Sequence, residues 1–481
     1  MTRVLAKLHR WIGIVLCLMF AIWFASGVVM IYVPFPSLSD TERIAKAESV
    51  DVSAITSLPA ALAVTGISAV DRLRLLQYQQ RPILVVEGYS NDVLVSFADT
   101  PELISPLTVV DAGNIAEKFS SDSVVSVSEP ITYDQWVVHH RFDPYRPFFR
   151  VALADRAGTH LYVSAKTTEI LQQTNRRQRA WNYVGAVVHW IYPTFIRKDW
   201  ALWDQLVWWM SLVGVMGVVA GFILGVQHFR TARQRGDKGL ASPFSGWLAW
   251  HHKIGFLFGI IVLLWIFSGW LSMDHGRLFS VPDPTVQQVA DVRGISLSEA
   301  LGQIQLEDLA RFSDAKEFDI TALDEQPFLV VRSHEGSELM RIRSSRIVDQ
   351  AYLISAVESA TSRAWPDSAI KESYLVPEDD IYGNLREGSL GKRTLRLVLD
   401  DDDETWIHVN LNDGRLISVM DDSRRIYRWL FNGIHSLDLP GLANRRPLWD
   451  VLMILLMVVG FVFSLTGIVI AYKRVARVLN K

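Results

Sequence analysis

Four long apolar runs stand out along a chain of 481 residues. They span residues 11–33, 205–229, 254–273 and 451–472, and none contains Asp, Glu, Lys or Arg. A helix needs roughly 20 such residues to cross a bilayer. The first run is too long for the apolar part of a signal peptide and is followed by no A-x-A cleavage site. The pattern therefore predicts four transmembrane helices and a lipid bilayer as the surrounding medium.

Basic residues favour one orientation of these helices. The N-terminus, the short connection between the second and third runs, and the C-terminus carry most of the nearby Lys and Arg. Basic residues in short loops mark the cytoplasmic side. We therefore expect a multi-pass protein with both termini in the cytoplasm. The basic positions are Arg3, Lys7 and Arg10; Arg230, Arg233, Arg235, Lys238 and Lys253; and Lys473, Arg474, Arg477 and Lys481.

The expected organisation divides the chain into eight parts. They are a cytoplasmic N-terminus with the first helix (1–33), an outer domain (34–180), an interfacial segment with the second helix (181–229), a cytoplasmic basic loop (230–253), the third helix (254–273), a second outer domain (274–426), an interfacial segment with the fourth helix (427–473), and a cytoplasmic tail (474–481).

Short alternating runs predict an α+β fold for both outer domains. Strands are expected at 82–88, 92–98, 148–153, 160–164, 328–332, 396–400, 405–410 and 415–419, and helices at 111–119 and 353–363.

Matching residues recur at fixed offsets, which indicates an internal duplication. At a separation of 242 positions, His9 matches His251, Gly13 matches Gly255, Trp23 matches Trp265, Ser26 matches Ser268 and Gly27 matches Gly269. At 246 positions, His189 matches His435, Trp203 matches Trp449, Asp204 matches Asp450, Gly214 matches Gly460 and Gly221 matches Gly467. Both copies enter the membrane in the same direction, so the duplication is parallel.

The duplicated histidines are the candidate chemistry. In a parallel bundle, His9 should face His251 near the inner surface and His189 should face His435 near the outer surface. Facing imidazoles suit a six-coordinate haem. A histidine beside Arg or Lys can equally contact lipid headgroups, so that alternative stays open.

Several neighbouring residues bear on this assignment. His252 and His228 are alternative ligands for the inner site. Gly13 and Gly255 each lie four residues after an inner histidine, on the same helix face, where a missing side chain leaves room for a flat macrocycle.

Composition narrows the remaining possibilities. The formal net charge of −3 gives no indication of a nucleic-acid partner. A single cysteine, Cys17, excludes an internal disulfide and a cysteine-based metal cluster. The apolar runs carry no ionisable residue of the kind that ion-coupled transport usually needs.

Several motifs resemble the PepSY-associated transmembrane family, often labelled iron-regulated membrane proteins. They are LHRWIG at 8–13, RIYRWLFNGIHSLDLPG at 425–441, RPLWD at 446–450, SLTG at 464–467, and the strand residues 147–150 and 161–163. The resemblance covers essentially the whole chain. It implies a helical membrane bundle with two periplasmic α+β PepSY-like domains, placed in a bacterial inner membrane.

The resemblance also implies an activity, because some members are haem-containing reductases of ferric siderophores. It implies two haem b groups on His9, His251, His189 and His435, a ferric siderophore as substrate, and a cytoplasmic or quinol electron donor that is not identified. Tyr145, Arg146, Tyr382 and Arg386 are guesses for a docking surface. Two other functions remain open: a non-enzymatic PepSY module that regulates a peptidase or another envelope partner, and a permease for a metal chelate.

The orientation can be tested with reporter fusions. We expect a cytoplasmic signal from fusions at residue 240 and at the C-terminus, and an outside signal from fusions near residues 120 and 350. A cytoplasmic signal from either long segment would contradict the four-helix topology.

Overall fold

The computed structural model describes residues 2–275, 284–342, 348–385 and 388–480. The chain divides into two compact units. The helix unit contains Met1–Phe35, Arg177–Ser280 and Arg425–Lys481, and the sheet unit contains Pro36–Arg176 and Val281–Arg424.

The described helices, in chain order, are α1 (Thr2–Tyr32), α2 (Asp40–Ala45), α3 (Leu58–Ala63), α4 (Val109–Ser120), α5 (Arg176–Asn182), α6 (Thr194–Arg197), α7 (Trp200–Gln234), α8 (Gly246–Leu271), α9 (Val286–Arg293), α10 (Leu297–Gln303), α11 (Leu306–Ala310), α12 (Gln350–Ala364), α13 (Asp422–Arg428) and α14 (Leu448–Leu479).

The strands are β1 (Val70–Tyr78), β2 (Arg81–Gly88), β3 (Val93–Phe97), β4 (Val124–Val127), β5 (Phe148–Leu153), β6 (His160–Ser164), β7 (Ile170–Thr174), β8 (Glu317–Leu323), β9 (Gln326–Ser333), β10 (Gly336–Arg341), β11 (Ile370–Leu375), β12 (Asn384–Leu385), β13 (Gly388–Ser389), β14 (Thr394–Leu399), β15 (Trp406–Asn410) and β16 (Arg415–Met420).

Helices α1, α7, α8 and α14 are long and apolar enough to cross a membrane, which confirms the four predicted helices. Within the helix unit, α1 packs against α7 and α14, and α8 packs against the same two helices. Helices α1 and α8 therefore lie on one diagonal of a four-helix bundle.

Glycine allows close approach between these helices, because a missing side chain lets a neighbouring ring touch the backbone. A Cβ added at Gly214 of α7 would lie 3.2 Å from the Phe20 ring, and one added at Gly460 of α14 would lie 2.5 Å from the Phe24 ring. Two phenylalanines of α1 thus pack against two neighbouring helices, at glycines that lie 246 positions apart in the sequence.

Short helices with a π-helical turn lead into the bundle. Helix α5 continues into the turn Tyr183–Val187, which ends just before His189, and α13 continues into Trp429–Gly433, which ends just before His435. Gly185 breaks the first turn, with φ −101° and ψ −109°. These turns bring the two outer histidines to the bundle.

The sheet unit is built on one six-stranded antiparallel sheet with the order β10-β9-β8-β1-β2-β3. Strands β1 and β8 pair at its centre, so the two chain segments of the sheet unit share this sheet. Two four-stranded sheets accompany it, β4-β5-β6-β7 from the first segment and β11-β14-β15-β16 from the second. The sequence patterns did not reveal the shared sheet.

Alternation along the central strands buries both faces of this sheet. Leu73 and Leu75 of β1 belong to a core with α3, α10 and α11, whereas Leu76 and Tyr78 belong to a core with α4 and the β4–β7 sheet. A third core joins α12 to the β11–β16 sheet and to β9. The first core contains residues of both chain segments, so the sheet unit depends on both of them.

Local elements agree with the predicted patterns. The strands predicted at 148–153 and 160–164 are β5 and β6 without any shift, and the strands predicted at 396–400 and 405–410 are β14 and β15, which pair with each other. The helices predicted at 111–119 and 353–363 are α4 and α12. These predictions are confirmed.

Buried ion pairs cross the junction of β1 and β8. Glu317 and Asp319 of β8 are fully buried. Glu317 lies 2.7 Å from Arg43, and Asp319 lies 3.0 Å from Arg72 of β1. Arg74, beside Asp319 in the register, forms a bidentate pair with Glu169, which directly precedes β7. Residues from distant parts of the chain thus neutralise one another in the core.

This network sets a test of stability in the sheet unit. Burial alone would raise the pKa of Glu317, but Arg43 and Arg74 outweigh it and lower the pKa to about 2. Replacing Glu317 by Gln leaves buried arginines without their partner. We expect this change to lower the free energy of unfolding by about 3 kcal/mol. Thermal unfolding of the full chain in detergent should show a lower midpoint for E317Q.

The same variant gives a defined pH dependence. A lowered pKa means that the Glu317 carboxylate stabilises the fold above its unfolded pKa of about 4.3, and this contribution is lost as the pH falls towards 2. The wild type should therefore lose more stability than E317Q between pH 5 and pH 2. Glu378→Gln is the control, because that side chain is 87% exposed. Equal melting midpoints for E317Q and E378Q would contradict a stabilising role of the network.

Candidate functional site

The inner histidine pair consists of His9 on α1 and His251 on α8, whose ring centroids lie 6.1 Å apart. The two residues lie on diagonal helices, so they meet across the centre of the bundle. The Nδ1 of His9 is 2.9 Å from the carbonyl of Gly217, and the Nδ1 of His251 is 2.8 Å from the hydroxyl of Thr466. Each ring is thus held by a helix that neighbours its own.

The outer pair consists of His189 and His435, with ring centroids 6.5 Å apart. The Nδ1 of His189 is 2.9 Å from the hydroxyl of Ser26, and the Nδ1 of His435 is 3.1 Å from the hydroxyl of Ser268. The two serines are equivalent residues of α1 and α8. The structure therefore brings together both histidine pairs that the sequence offset had matched.

The hydroxyl groups determine which nitrogen of each ring carries the proton. Ser26 donates to the Ile22 carbonyl at 2.7 Å, Ser268 to the Trp265 carbonyl at 3.0 Å, and Thr466 to the Phe463 carbonyl at 2.6 Å. Each hydroxyl can then only accept from the imidazole, and the Gly217 carbonyl can only accept as well. Nδ1 is the donor in all four rings, which leaves the Nε2 lone pair available.

No described residue forms a hydrogen bond with any of these four Nε2 atoms. Burial lowers the pKa of His189 to about 3 and that of His435 to about 4, so both outer rings are neutral at pH 7. A neutral imidazole with its other nitrogen fixed by a hydrogen bond is the form that binds a metal ion.

Tryptophan side chains fix the backbone at the outer pair. Trp23 donates its indole N–H to the His189 carbonyl at 2.8 Å, and Trp203 donates to the next carbonyl, that of Trp190, at 2.9 Å. The other half has the same arrangement: Trp265 donates to His435 at 2.8 Å, and Trp449 donates to Ser436 at 3.0 Å. Two indoles thus hold two successive carbonyls at each outer histidine.

A glycine faces the Cε1 edge of each of the four imidazoles. Added Cβ atoms would lie 3.7 Å from His189 at Gly27, 3.4 Å from His435 at Gly269, and 3.7 Å from His251 at Gly467. At Gly221 the added Cβ would overlap the ring of His9, at 2.7 Å from Nδ1. Each ring therefore lies directly against the backbone of a neighbouring helix.

The proposed macrocycle space differs between the two inner glycines. A Cβ at Gly13 would meet no atom within 4 Å, whereas one at Gly255 would lie 3.0 Å from the ring of Phe463. Phe463 stacks on His251, with centroids 4.6 Å apart. Open space therefore lies beside Gly13, whereas the Phe463 ring fills the space beside Gly255.

The two alternative histidines lie together elsewhere. His252 and His228 have centroids 6.1 Å apart, and the Nε2 of His252 is 3.0 Å from the Gly225 carbonyl of α7. His252 thus faces α7, whereas His251 faces α1 and α14. The adjacent residues His251 and His252 of α8 therefore contact different helices.

The residues suggested for docking have structural contacts. Arg146 is 7% exposed and contacts the carbonyls of Thr132 and Val137, and Tyr145 donates to Glu87 at 3.0 Å. Tyr382 packs on Trp406. Arg386 lies outside the described residues.

Sequence reasoning identified the histidines but not the residues that orient them. The serine and tryptophan matches were visible at the two offsets, and that repetition was the available signal. That these serines and tryptophans orient the histidines became clear only from the hydrogen-bond distances.

A model of the PepSY-associated TM region matches residues 6–474, nearly the whole chain. No curated protein matches this sequence. The match is consistent with the four apolar helices and with the α+β sheet unit. The chain therefore belongs to the PepSY-associated transmembrane family.

Proposed function

We propose that this protein is a haem-containing inner-membrane reductase that carries electrons across the bilayer to a ferric chelate, such as a siderophore, on the outer side. His9 and His251 would hold one haem b, and His189 and His435 would hold the other. The observation that carries the proposal is the repeated one: four imidazoles face one another in pairs, each donating through Nδ1 and each with Nε2 free.

The ring spacing fits a shared metal ion. An ion bonded to two opposed imidazoles, at about 2 Å from each nitrogen, keeps the ring centroids about 6 Å apart. The observed separations are 6.1 and 6.5 Å.

The small number of ligands favours haem over a bare metal ion. Among the described residues, no group of three or more His, Cys, Asp or Glu side chains could hold a metal. A bare ion held by two imidazoles alone would lack ligands, whereas haem would bring its own further donors to the iron. Bound haem supplies one-electron redox chemistry.

The chain's own residues orient the ligands. The serine and threonine hydroxyls keep the proton on Nδ1, which leaves Nε2 as a lone-pair donor. The indoles of Trp23 and Trp265 hold the backbone of the outer histidines. Phe20 and Phe24 pack closely against Gly214 and Gly460 in the bundle.

The proposal also includes a parallel internal duplication and an orientation with both termini in the cytoplasm. The matching contacts of Ser26 and Ser268, and of Trp23 and Trp265, support an origin by parallel internal duplication. The distribution of Lys and Arg supports cytoplasmic termini and a periplasmic sheet unit. The two histidine pairs then lie near opposite membrane surfaces.

Reduction explains how iron would be released. One electron converts Fe³⁺ to Fe²⁺, which is softer and less charged and binds oxygen-donor chelators less tightly. A membrane roughly 30 Å thick separates the inner donor from the outer acceptor, and two redox centres divide that distance into shorter steps.

Haem content and reoxidation test the proposal directly. The purified wild type should contain two haems per chain, and His435→Ala should contain about one, because the outer site loses an axial ligand. After reduction with dithionite and removal of the excess, a ferric siderophore should rapidly reoxidise the wild type but not H435A. His334→Ala, at an exposed turn between β9 and β10, is the matched control.

Two outcomes would contradict the proposal. Absence of haem from the wild type would exclude the cofactor assignment. Haem that stays reduced with every ferric chelate, yet is reoxidised by a quinone, would exclude a ferric acceptor.

A pair of equivalent glycines separates the inner site from general packing. Gly221→Ala should displace the His9 ring and lower the occupancy of the inner haem, because the new methyl group overlaps that ring. Gly467→Ala should have little effect, since its Cβ lies at ordinary contact distance from His251. The absorption spectrum and the haem-to-protein ratio measure both variants. Equal loss in the two would show that this contact does not decide haem binding.

A further inference from the structure

The pairing of His228 with His252 does not follow the internal repeat. The positions equivalent to these two residues are Arg474 and Arg10, and both arginines are exposed. The matching positions of the bundle therefore contain no histidine pair. The two histidines are therefore a feature of one side of the bundle, beside the inner pair.

The ring of His252 contains an unpartnered acceptor. The residue is 8% exposed, and its Nε2 donates to the Gly225 carbonyl at 3.0 Å. The proton is then on Nε2, so Nδ1 carries a lone pair. Nδ1 is buried and has no hydrogen-bond partner among the described residues. Such a group is costly to leave unsatisfied, which indicates that a donor binds there.

Two other rings, those of His228 and Phe244, lie near the ring of His252. Phe244, on the connection between α7 and α8, lies with its ring centroid 5.6 Å from that of His252 and 4.9 Å from that of His228. A Cβ added at Gly225 would meet no atom within 4 Å, so space is open beside the carbonyl that holds His252. His228, Phe244 and His252 form what we call the inner niche.

The inner niche lies beside α7 and α8, two helices that are apolar enough to cross a membrane. Leu257 and Ile260, further along α8, are 53% and 45% exposed on a helix that is apolar enough to cross a membrane. A ligand that reaches the niche through the bilayer must be lipid-soluble. To occupy it, the ligand needs a flat ring that packs on aromatic groups and a hydroxyl that donates to Nδ1.

We propose that the inner niche binds a membrane hydroquinone, which serves as the electron donor to the inner haem. One hydroxyl donates to Nδ1 of His252, and the Phe244 side chain turns aside to admit the ring. This inference rests on the proposed function, because the adjacent His251 is an inner haem ligand. Oxidation to the quinone releases two electrons and two protons: the electrons leave one at a time for the inner haem iron, and the protons go to water at the inner surface.

Photolabelling tests the binding site without depending on haem. The full chain in detergent is irradiated with a photoreactive azidoquinone, and the labelled peptides are identified by mass spectrometry. Label should appear on 225–229 or 244–256 in the wild type and fall about tenfold in His252→Leu, because the acceptor is lost. His252→Asn, whose amide retains a donor and an acceptor, should retain more label than the Leu variant. Arg10→Leu, at the equivalent position of the other half, is the matched control and should label as the wild type does.

Kinetics then test the role as donor. A short-chain ubiquinol should reduce the haem of His252→Leu at least tenfold more slowly than that of the wild type, while haem content and reduction by dithionite stay unchanged. Equal labelling of His252→Leu and wild type, or label confined to other peptides, would overturn the proposal. Loss of haem in His252→Leu would also overturn it, because His252 would then be an axial ligand. Absence of haem from the wild type would overturn the proposed function, and the photolabelling result would still decide whether the niche binds quinone.

Discussion

The hydrogen bond from an indole N–H to a histidine carbonyl is the interaction on which the outer site depends. Trp23 and Trp265 each make it at 2.8 Å. Four positions after His189 stands Pro193, which has no N–H, and four positions after His435 the N–H of Leu439 donates to Leu437 instead. Both histidine carbonyls therefore lack the regular helix partner, and an unpaired carbonyl in an apolar bundle is costly. Satisfying it places each imidazole against a serine hydroxyl and a glycine of the same helix. One backbone requirement therefore positions both the ring and its proton.

The histidine pairs and the centre of the six-stranded sheet satisfy buried polar groups in different ways. The histidine pairs use neutral donors and acceptors, such as Thr466 beside His251. The sheet unit instead buries whole charges, with Glu317 and Asp319 surrounded by arginines. Buried ions need several opposed charges at once, because a single unmatched one is strongly destabilising. Several distant segments must therefore meet before the centre of the sheet is stable.

Local patterns predicted much of this structure, and long-range pairing explains the rest. Apolar runs identify α1, α7, α8 and α14 because lipid demands an uninterrupted apolar length. The strands β5 and β6 follow from their alternation. The pairing of β1 with β8 leaves no local pattern, since Leu73 and Ile320 meet only in the folded chain. In the same way, the offset of 242 residues paired His9 with His251, but the contact of His252 with α7 depends on the rotation of α8.

Each histidine pair draws one member from the first half of the chain and one from the second. A half-length chain would therefore contain only single, unmatched members of both pairs. Two parallel copies related by a twofold axis could restore them, because the partner of each residue would be its own counterpart. Joining the halves in one chain removes that symmetry requirement. The two halves can then differ at matching positions. Thr466 stands where the first half has Ala220, and His228 and His252 stand where the matching positions carry Arg474 and Arg10.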